Sequence, residues 1–126
     1  MNRRQESAAF SNGVNAGNSS IQEDDTMRLG ILVNTNKNLE EVLRLSNAAL
    51  SKGHEVVIFA MDQGTKLLEQ PFFTGLCSLP GVAMSFCDHS AERLGVRTEG
   101  IPKGATCGSQ YNNAVMIHNA DKVIVL

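Results

Sequence analysis

The sequence has few of the features that mark nucleic-acid-binding, membrane-spanning or secreted proteins. It carries 11 Lys and Arg residues against 13 Asp and Glu residues, a net charge of −2, and its basic residues are scattered, so no positive surface for phosphates is expected. It lacks an apolar run near the roughly 20 residues that a membrane helix requires. Arg3 and Arg4 do not precede the apolar segment of a secretory signal. We therefore expect a cytoplasmic protein that binds neither nucleic acid nor membranes.

The cysteines are too few and too irregular for a disulfide framework or a zinc motif. Cys77, Cys87 and Cys107 form an odd set without a CxxC pair, which is typical of free thiols. Adjacent Cys87, Asp88 and His89 cannot all face one tetrahedral ion without other donors. The sequence thus predicts neither a bound metal nor an organic cofactor.

The composition divides the chain once. Residues 1–26 are rich in Asn, Ser, Gln, Gly and acidic residues and show no hydrophobic period, so we expect a disordered tail. Met27 is followed at once by strand-like sequence and is a candidate for the natural start. Residues 27–126 are expected to form one α/β domain, as the 126-residue length and 42% hydrophobic content indicate.

Short apolar runs alternate with amphipathic segments after Met27. The expected strands are residues 29–33, 54–60, 82–86 and 123–126. The expected helices are residues 39–52, with Asn38 and Glu41 as a capping pair, 62–68, 88–94, and a segment capped by Ser109 that carries Tyr111, Ala114, Val115 and His118 on one stripe. Repeated strand-helix alternation predicts a mostly parallel sheet of four to five strands with helices on both faces.

Two segments lack a clear period. Residues 72–80 are expected to form a loop or partial helix whose aromatic rings pack inward. Glycines at both ends and in the middle of residues 95–108 break regular structure. The second segment is therefore expected to be a long functional loop.

In parallel sheets, ligands bind outside the carboxyl ends of the strands. Three loops are expected to form this crevice: residues 34–38, 61–64 and 87–90. The loop of residues 34–38 could present side-chain amides and one ammonium group to an anion, although it lacks a Gly-rich phosphate-binding motif. A simple capped turn is the alternative for this loop. Tyr111 and the rest of the stretch Gln110–Asn113 could line the crevice or an oligomer contact, or could equally be a helix start docked on the sheet. The candidate lining residues are Asn34, Asn36, Lys37, Asp62, Asp88 and Tyr111.

Cys87 stands at a predicted strand-to-helix turn. Backbone N–H groups at a helix start favour a thiolate, which is the reactive form of cysteine. His89 could add positive charge, and Cys107 in the glycine-rich loop could act as a second thiol. A small buried hydrophobic side chain is the alternative role for Cys87, and packing is the expected role for Cys77.

Segments distributed over the whole of residues 27–126 carry a resemblance to a known family. They are Met27–Val33, Lys52–Val56, Gly81–Cys87, Leu94–Val96 and Ala120–Leu126. Their order and spacing resemble the DsrE/DsrF/TusD family of small sulfur-relay proteins. The resemblance implies a flavodoxin-like (DsrEFH-like) three-layer α/β fold, assembly into a homo-oligomer such as a trimer or hexamer, and a persulfide carried on the cysteine at the position of Cys87.

The functional hypothesis that follows is a sulfur carrier or sulfurtransferase. Its partners would be sulfur donor and acceptor proteins or low-molecular-weight thiols, since sulfur transfer follows the logic of thiol-disulfide exchange. Two alternatives stay open: a non-catalytic oligomeric binding module of the same fold, and a thiol redox sensor that forms a reversible disulfide between Cys87 and Cys107.

Overall fold

Five parallel strands form one sheet in the computed structural model of the protein, which describes residues 26–126. The strands are β1 (Arg28–Val33), β2 (Glu55–Ala60), β3 (Val82–Cys87), β4 (Ala105–Gly108) and β5 (Lys122–Val125). Their order across the sheet is β4-β3-β2-β1-β5, and every pairing is parallel. The predicted parallel α/β fold is confirmed, whereas residues 1–25 of the predicted disordered tail lie outside the described residues.

Short helices connect the strands. They are α1 (Leu39–Ser51), the 3₁₀ helix η1 (Asp62–Glu69), α2 (Pro71–Thr74), the 3₁₀ helix η2 (Gly75–Ser78), α3 (Asp88–Arg93) and α4 (Gln110–Asn119). Asn38 occupies the N-cap position of α1, but its side chain accepts no capping hydrogen bond; its amide nitrogen donates to Thr35 Oγ1 at 3.5 Å. The predicted capping pair with Glu41 is therefore wrong. No helix within residues 26–126 is long and apolar enough to cross a membrane.

The connections produce three layers. Strands β1 to β4 follow one another across the sheet in one direction, so their right-handed crossovers lie on one face. Strand β5 returns to the far side of β1, which places α4 on the opposite face. The large core cluster joins alternate residues such as Ile31, Ile58 and Phe86 to apolar side chains of α1, α2 and α3. A smaller cluster of Phe59, Cys87 and Met116 lies on the α4 face.

The α4 helix packs through a different face from the one that its sequence predicts. Met116 is buried, and the sheet makes room for the helix at Gly30, where an added Cβ would lie 3.2 to 3.4 Å from side chains of Ala120, Met116 and Val123. The predicted stripe of Tyr111, Ala114, Val115 and His118 is exposed instead. A single helix covers this face, and therefore its outer side meets solvent.

The predicted loop of residues 95–108 ends in a strand. Residues 105–108 form β4, an edge strand that pairs only with β3. Only Ala105 is buried within it, which explains why the apolar pattern of an internal strand is absent. The strand order also differs from the flavodoxin order 2-1-3-4-5, because here the last strand occupies the place beside β1.

The aromatic pair after η1 divides between core and surface. Phe73 is fully buried, whereas Phe72 is 76% exposed. The expectation that both rings pack inward is therefore wrong for Phe72, since adjacent positions of the short α2 helix face different directions.

Candidate active site at Cys87

The sheet forms a crevice where two neighbouring strands lead to opposite faces. The chain leaves β3 for α3 on one face and leaves β4 for α4 on the other, and Cys87 at the end of β3 pairs with Gly108 at the end of β4. Ligand sites of open α/β sheets lie at such a reversal. Cys87 is therefore the strand residue at the position where this topology favours a site.

Cys87 ends β3 and is also the N-cap residue of α3. Its Sγ accepts a hydrogen bond from the backbone N–H of Ser90 at 3.5 Å. Alternation along β3 points the side chain to the α4 face, where it packs with Phe59 and Met116. Only 4% of the residue is exposed, so any reaction partner must reach the sulfur through the crevice.

The surroundings favour the charged form of this thiol. Burial raises the pKa of Cys87, but hydrogen bonds from the hydroxyl and backbone N–H of Ser90, the side-chain amide of Gln110 and the backbone N–H of His89 lower the pKa below its ordinary value overall. Donors that point at a sulfur stabilise a thiolate more than a neutral thiol. Cys87 is consequently poised as a nucleophile.

A cavity of about 650 Å³ opens at Cys87. It contains three of the residues singled out from sequence, namely Asp62, Asp88 and His89. Arg93 also lines it, and Arg93 Nη2 lies 3.3 Å from Asp62 Oδ1. This exposed ion pair adds little stability, but it places a cation at the wall of the cavity.

The other candidate lining residues lie elsewhere. Asn36 lines a separate depression beside η1, and Tyr111 lines a cavity on the open sheet face. Neither Asn34 nor Lys37 lines the Cys87 cavity. These residues follow β1, and β1 is separated from β3 by β2, a distance of about 10 Å across the sheet. The expected convergence of three loops is therefore corrected: the loops that reach Cys87 follow β2, β3 and β4.

Cys107 lies on β4 rather than in a mobile loop. It pairs with Phe86, so alternation turns its side chain to the face opposite to that of Cys87. Burial raises the pKa of Cys107, and the hydrogen bond to Asp88 and the charges of Asp88 and Cys87 raise it further. A disulfide requires converging Cβ vectors, so this arrangement argues against a direct disulfide with Cys87.

One polar residue at the site was not predicted from the sequence. Ser90 is buried, its N–H donates to Cys87 Sγ at 3.5 Å, and its hydroxyl also lowers the pKa of Cys87. The spacing of Cys87 and Ser90 across a helix start was an available signal. Gln110 belongs to the stretch predicted to line the crevice or an oligomer contact, and it lines the Cys87 cavity from the start of α4. The imidazole of His89 is not among the groups that act on Cys87.

Metal ligands do not cluster within residues 26–126: no group of three His, Cys, Asp or Glu side chains there could hold an ion. The chemistry that the described arrangement supports is that of a stabilised thiolate beside a cavity with charged residues in its walls.

Comparisons with known proteins identify the fold. The model of the DsrE/DsrF-like family matches residues 27–126. The crystal structure of the YchN protein from E. coli is similar, with 16% identity and a TM-score of 0.66 over 80% of this chain and 99% of that chain. A protein of unknown function from Methanobacterium thermoautotrophicum shows 14% identity and a TM-score of 0.58 over 79% of this chain and 99% of that one. The chain matches no curated protein sequence.

Proposed function

The chain belongs to the DsrE/DsrF-like family, and we propose that it is a sulfur-relay protein that carries sulfane sulfur as a persulfide on Cys87. The observation that supports this role is the Cys87 sulfur itself. It lies at the β3–β4 crevice, receives a hydrogen bond from the start of α3, has a lowered pKa and borders a cavity that the start of α4 also lines. These are the surroundings that a nucleophilic thiolate requires.

The proposed reaction has two displacement steps. In the first, the Cys87 thiolate attacks the outer sulfur of a donor persulfide; a new S–S bond forms, the donor S–S bond breaks, and the donor leaves as a thiolate. In the second, an acceptor thiolate attacks the outer sulfur on Cys87 and regenerates the Cys87 thiolate. The transferred sulfur keeps its proton throughout, so no external oxidant or reductant is needed.

Each group at the cavity has a definite part in this scheme. The donors from Ser90 and His89 stabilise the Cys87 thiolate in the resting protein. The raised pKa of Cys107 keeps that thiol protonated and less reactive, so Cys107 is a conditional helper that acts only if a partner deprotonates it. The side chain of His89 lines the cavity and stays a predicted helper.

The open face next to α4 supports assembly of several copies. Tyr111 is 74% exposed, and apolar Val115, Ile117 and Val125 are exposed on the same side or on edge strand β5. Exposed apolar surface of this kind marks interaction sites, and we propose a homo-oligomer such as a trimer or hexamer. Sedimentation equilibrium tests this, and a monomer at the working concentration would contradict it.

The partners follow from the chemistry. Sulfur donor and acceptor proteins, or low-molecular-weight thiols, can supply and accept a persulfide sulfur. Persulfide transfer uses reduced thiols, which the cytoplasm maintains, and we expect the protein to act there.

Intact-protein mass spectrometry after incubation with glutathione persulfide tests the proposal. We expect the mass of one sulfur atom to be added to the wild type and to the Cys107→Ser variant, but not to Cys87→Ser. The Cys107→Ser variant is the matched control, because it removes the neighbouring thiol and leaves the Cys87 hydrogen bonds in place. Uptake by Cys87→Ser equal to that of the wild type would refute the proposed role.

A further inference from the structure

The side chain of Gln110 reaches the Cys87 sulfur from the side of the crevice opposite to α3. Gln110 is the first residue of α4 and lines the same cavity as Cys87. Its Nε2 donates to Met61 Sδ at 3.8 Å, and the side chain is one of the donors that lower the pKa of Cys87. The nitrogen end of the amide is thus turned into the cavity that Cys87 and Met61 both line.

The oxygen end of the same amide is held by Asn113. Asn113 Nδ2 donates to Gln110 Oε1 at 3.2 Å. Because an amide has one accepting oxygen and one donating nitrogen, this contact determines which end faces the sulfur. The Asn113 Oδ1 atom is itself buried without a partner among the described residues, and an unpaired buried oxygen is retained at a cost.

The backbone that carries Gln110 is fixed by a capping box. The Ser109 hydroxyl accepts the N–H of Tyr111 at 3.2 Å, and Asn112 Oδ1 accepts the N–H of Ser109 at 2.9 Å. Gly108, just before the box, pairs with Cys87 across the sheet. The first turn of α4 is therefore held in register with the reactive sulfur.

We propose that Gln110, oriented by Asn113, stabilises the Cys87 sulfur as the leaving group when sulfur passes to the acceptor; this inference rests on the proposed function. As the acceptor thiolate attacks the outer sulfur, the S–S bond to Cys87 breaks and its electron pair returns to Cys87 Sγ. The Gln110 amide lines the cavity beside the atom where this negative charge develops. A fixed donor of this kind acts more strongly as the charge grows.

Other groups near the sulfur titrate, and Gln110 does not. The titratable and charged groups around Cys87 are Asp62 on η1, Asp88, His89 and Arg93 on α3, and Cys107 on β4. Because the amide of Gln110 is neutral throughout the accessible pH range, its removal shifts the thiol titration without removing a titration step of its own.

The test compares three substitutions in α4. Gln110→Met keeps the length of the side chain and removes its donors, Asn113→Leu removes the contact that orients Gln110, and Asn119→Ala is a matched control at the far end of the helix. The first readout is the pH profile of Cys87 alkylation by iodoacetamide, followed on the Cys87 peptide by mass spectrometry. The second is the rate at which sulfur loaded from glutathione persulfide is released to glutathione.

We expect Gln110→Met to slow Cys87 alkylation at pH values below the thiol pKa by about tenfold, and to slow sulfur release by about tenfold. This is the effect of losing one hydrogen bond to a charged group. The alkylation rate at high pH should reach the wild-type plateau. Asn113→Leu should slow alkylation and sulfur release by a smaller factor, and Asn119→Ala should match the wild type in both measurements. Gln110→Glu serves as a second variant, because a carboxylate beside the sulfur should shift the profile further upward.

The outcomes separate this inference from the proposed function. The role of Gln110 alone would be overturned if the wild type takes up sulfur normally and the pH profile of Cys87 alkylation in Gln110→Met superimposes on the wild-type profile. A wild type that takes up no sulfur would overturn both proposals. A Gln110→Met protein that is merely less stable, with unchanged profile and release rate, would also refute the role.

Discussion

Removal of the Ser90 hydroxyl is the most direct test of how the start of α3 activates Cys87. Ser90 is 4% exposed, its backbone N–H donates to Cys87 Sγ, and its hydroxyl is a further donor that lowers the pKa of Cys87. Ser90→Ala removes the hydroxyl and keeps the N–H, which lies 3.5 Å from Sγ. The substitution therefore separates the side-chain contribution from that of the helix backbone.

The size of the effect follows from the surroundings of the sulfur. A hydrogen bond to a charged group contributes about 1.5–3 kcal/mol. The cavity beside Cys87 admits solvent, which favours the lower end of that range. A loss of about 1.5 kcal/mol corresponds to a roughly tenfold smaller thiolate fraction at any pH well below the pKa. We expect the alkylation profile of Ser90→Ala to shift to higher pH by the corresponding amount.

The assay is the rate of iodoacetamide alkylation of Cys87 across the thiol titration, read on the isolated peptide so that Cys77 and Cys107 do not contribute. Ser85→Ala is the matched control, because Ser85 lies two residues earlier on β3 and faces the same side. Thermal unfolding checks that both variants fold. A folded Ser90→Ala protein with the wild-type profile would refute the reasoning, and a shift of equal size in Ser85→Ala would show that the effect is not specific to the Ser90 hydroxyl.

Three further predictions concern stability. The lowered pKa of Cys87 stabilises the folded protein above the ordinary thiol pKa of about 8.5, and this contribution is lost as the pH falls through the folded-state pKa of Cys87. The raised pKa of Cys107 has the opposite effect: it stabilises the folded protein below about pH 8.5, and this contribution is lost as the pH rises through the folded-state pKa of Cys107. Melting temperatures of Cys87→Ser and Cys107→Ser relative to the wild type should thus change in opposite directions with pH; parallel changes would contradict this. Ser46→Ala should raise the free energy of unfolding by about 1 kcal/mol, because the fully buried Ser46 hydroxyl has no partner among the described residues; denaturant unfolding measures it, and a loss would mean that the hydroxyl is bonded. Gly108→Ala should cost about 1–3 kcal/mol, since a Cβ there would overlap the side-chain amide that caps α4. Gly75→Ala, where nothing lies within 4 Å of the added carbon, is the control for the same unfolding measurement.

Secondary structure is predicted best for segments whose apolar pattern matches the way they are buried in the fold. The buried strand β1 and the amphipathic helix α1 have the periods of their structures, and the prediction for both agrees with the observed bounds to within one residue. The edge strand β4 buries only Ala105 and so lacks the apolar pattern of a strand, which is why the sequence predicts a loop there. The predicted packing face of α4 is also wrong, because the helix carries apolar residues on several sides and buries Met116 while Val115 and Ile117 stay exposed.

By itself, the sequence determined the parallel α/β architecture and the place of Cys87 at a strand-to-helix turn, because both depend on side-chain patterns within a few consecutive residues. Only the tertiary structure decided which groups surround the sulfur. The pairing of β3 with β4 brings Gln110 to Cys87 and turns Cys107 away, and the position of β2 between β1 and β3 keeps Asn34 and Lys37 at a distance. Strand order and register join segments that are far apart in the chain, and a period along one segment carries no information about them.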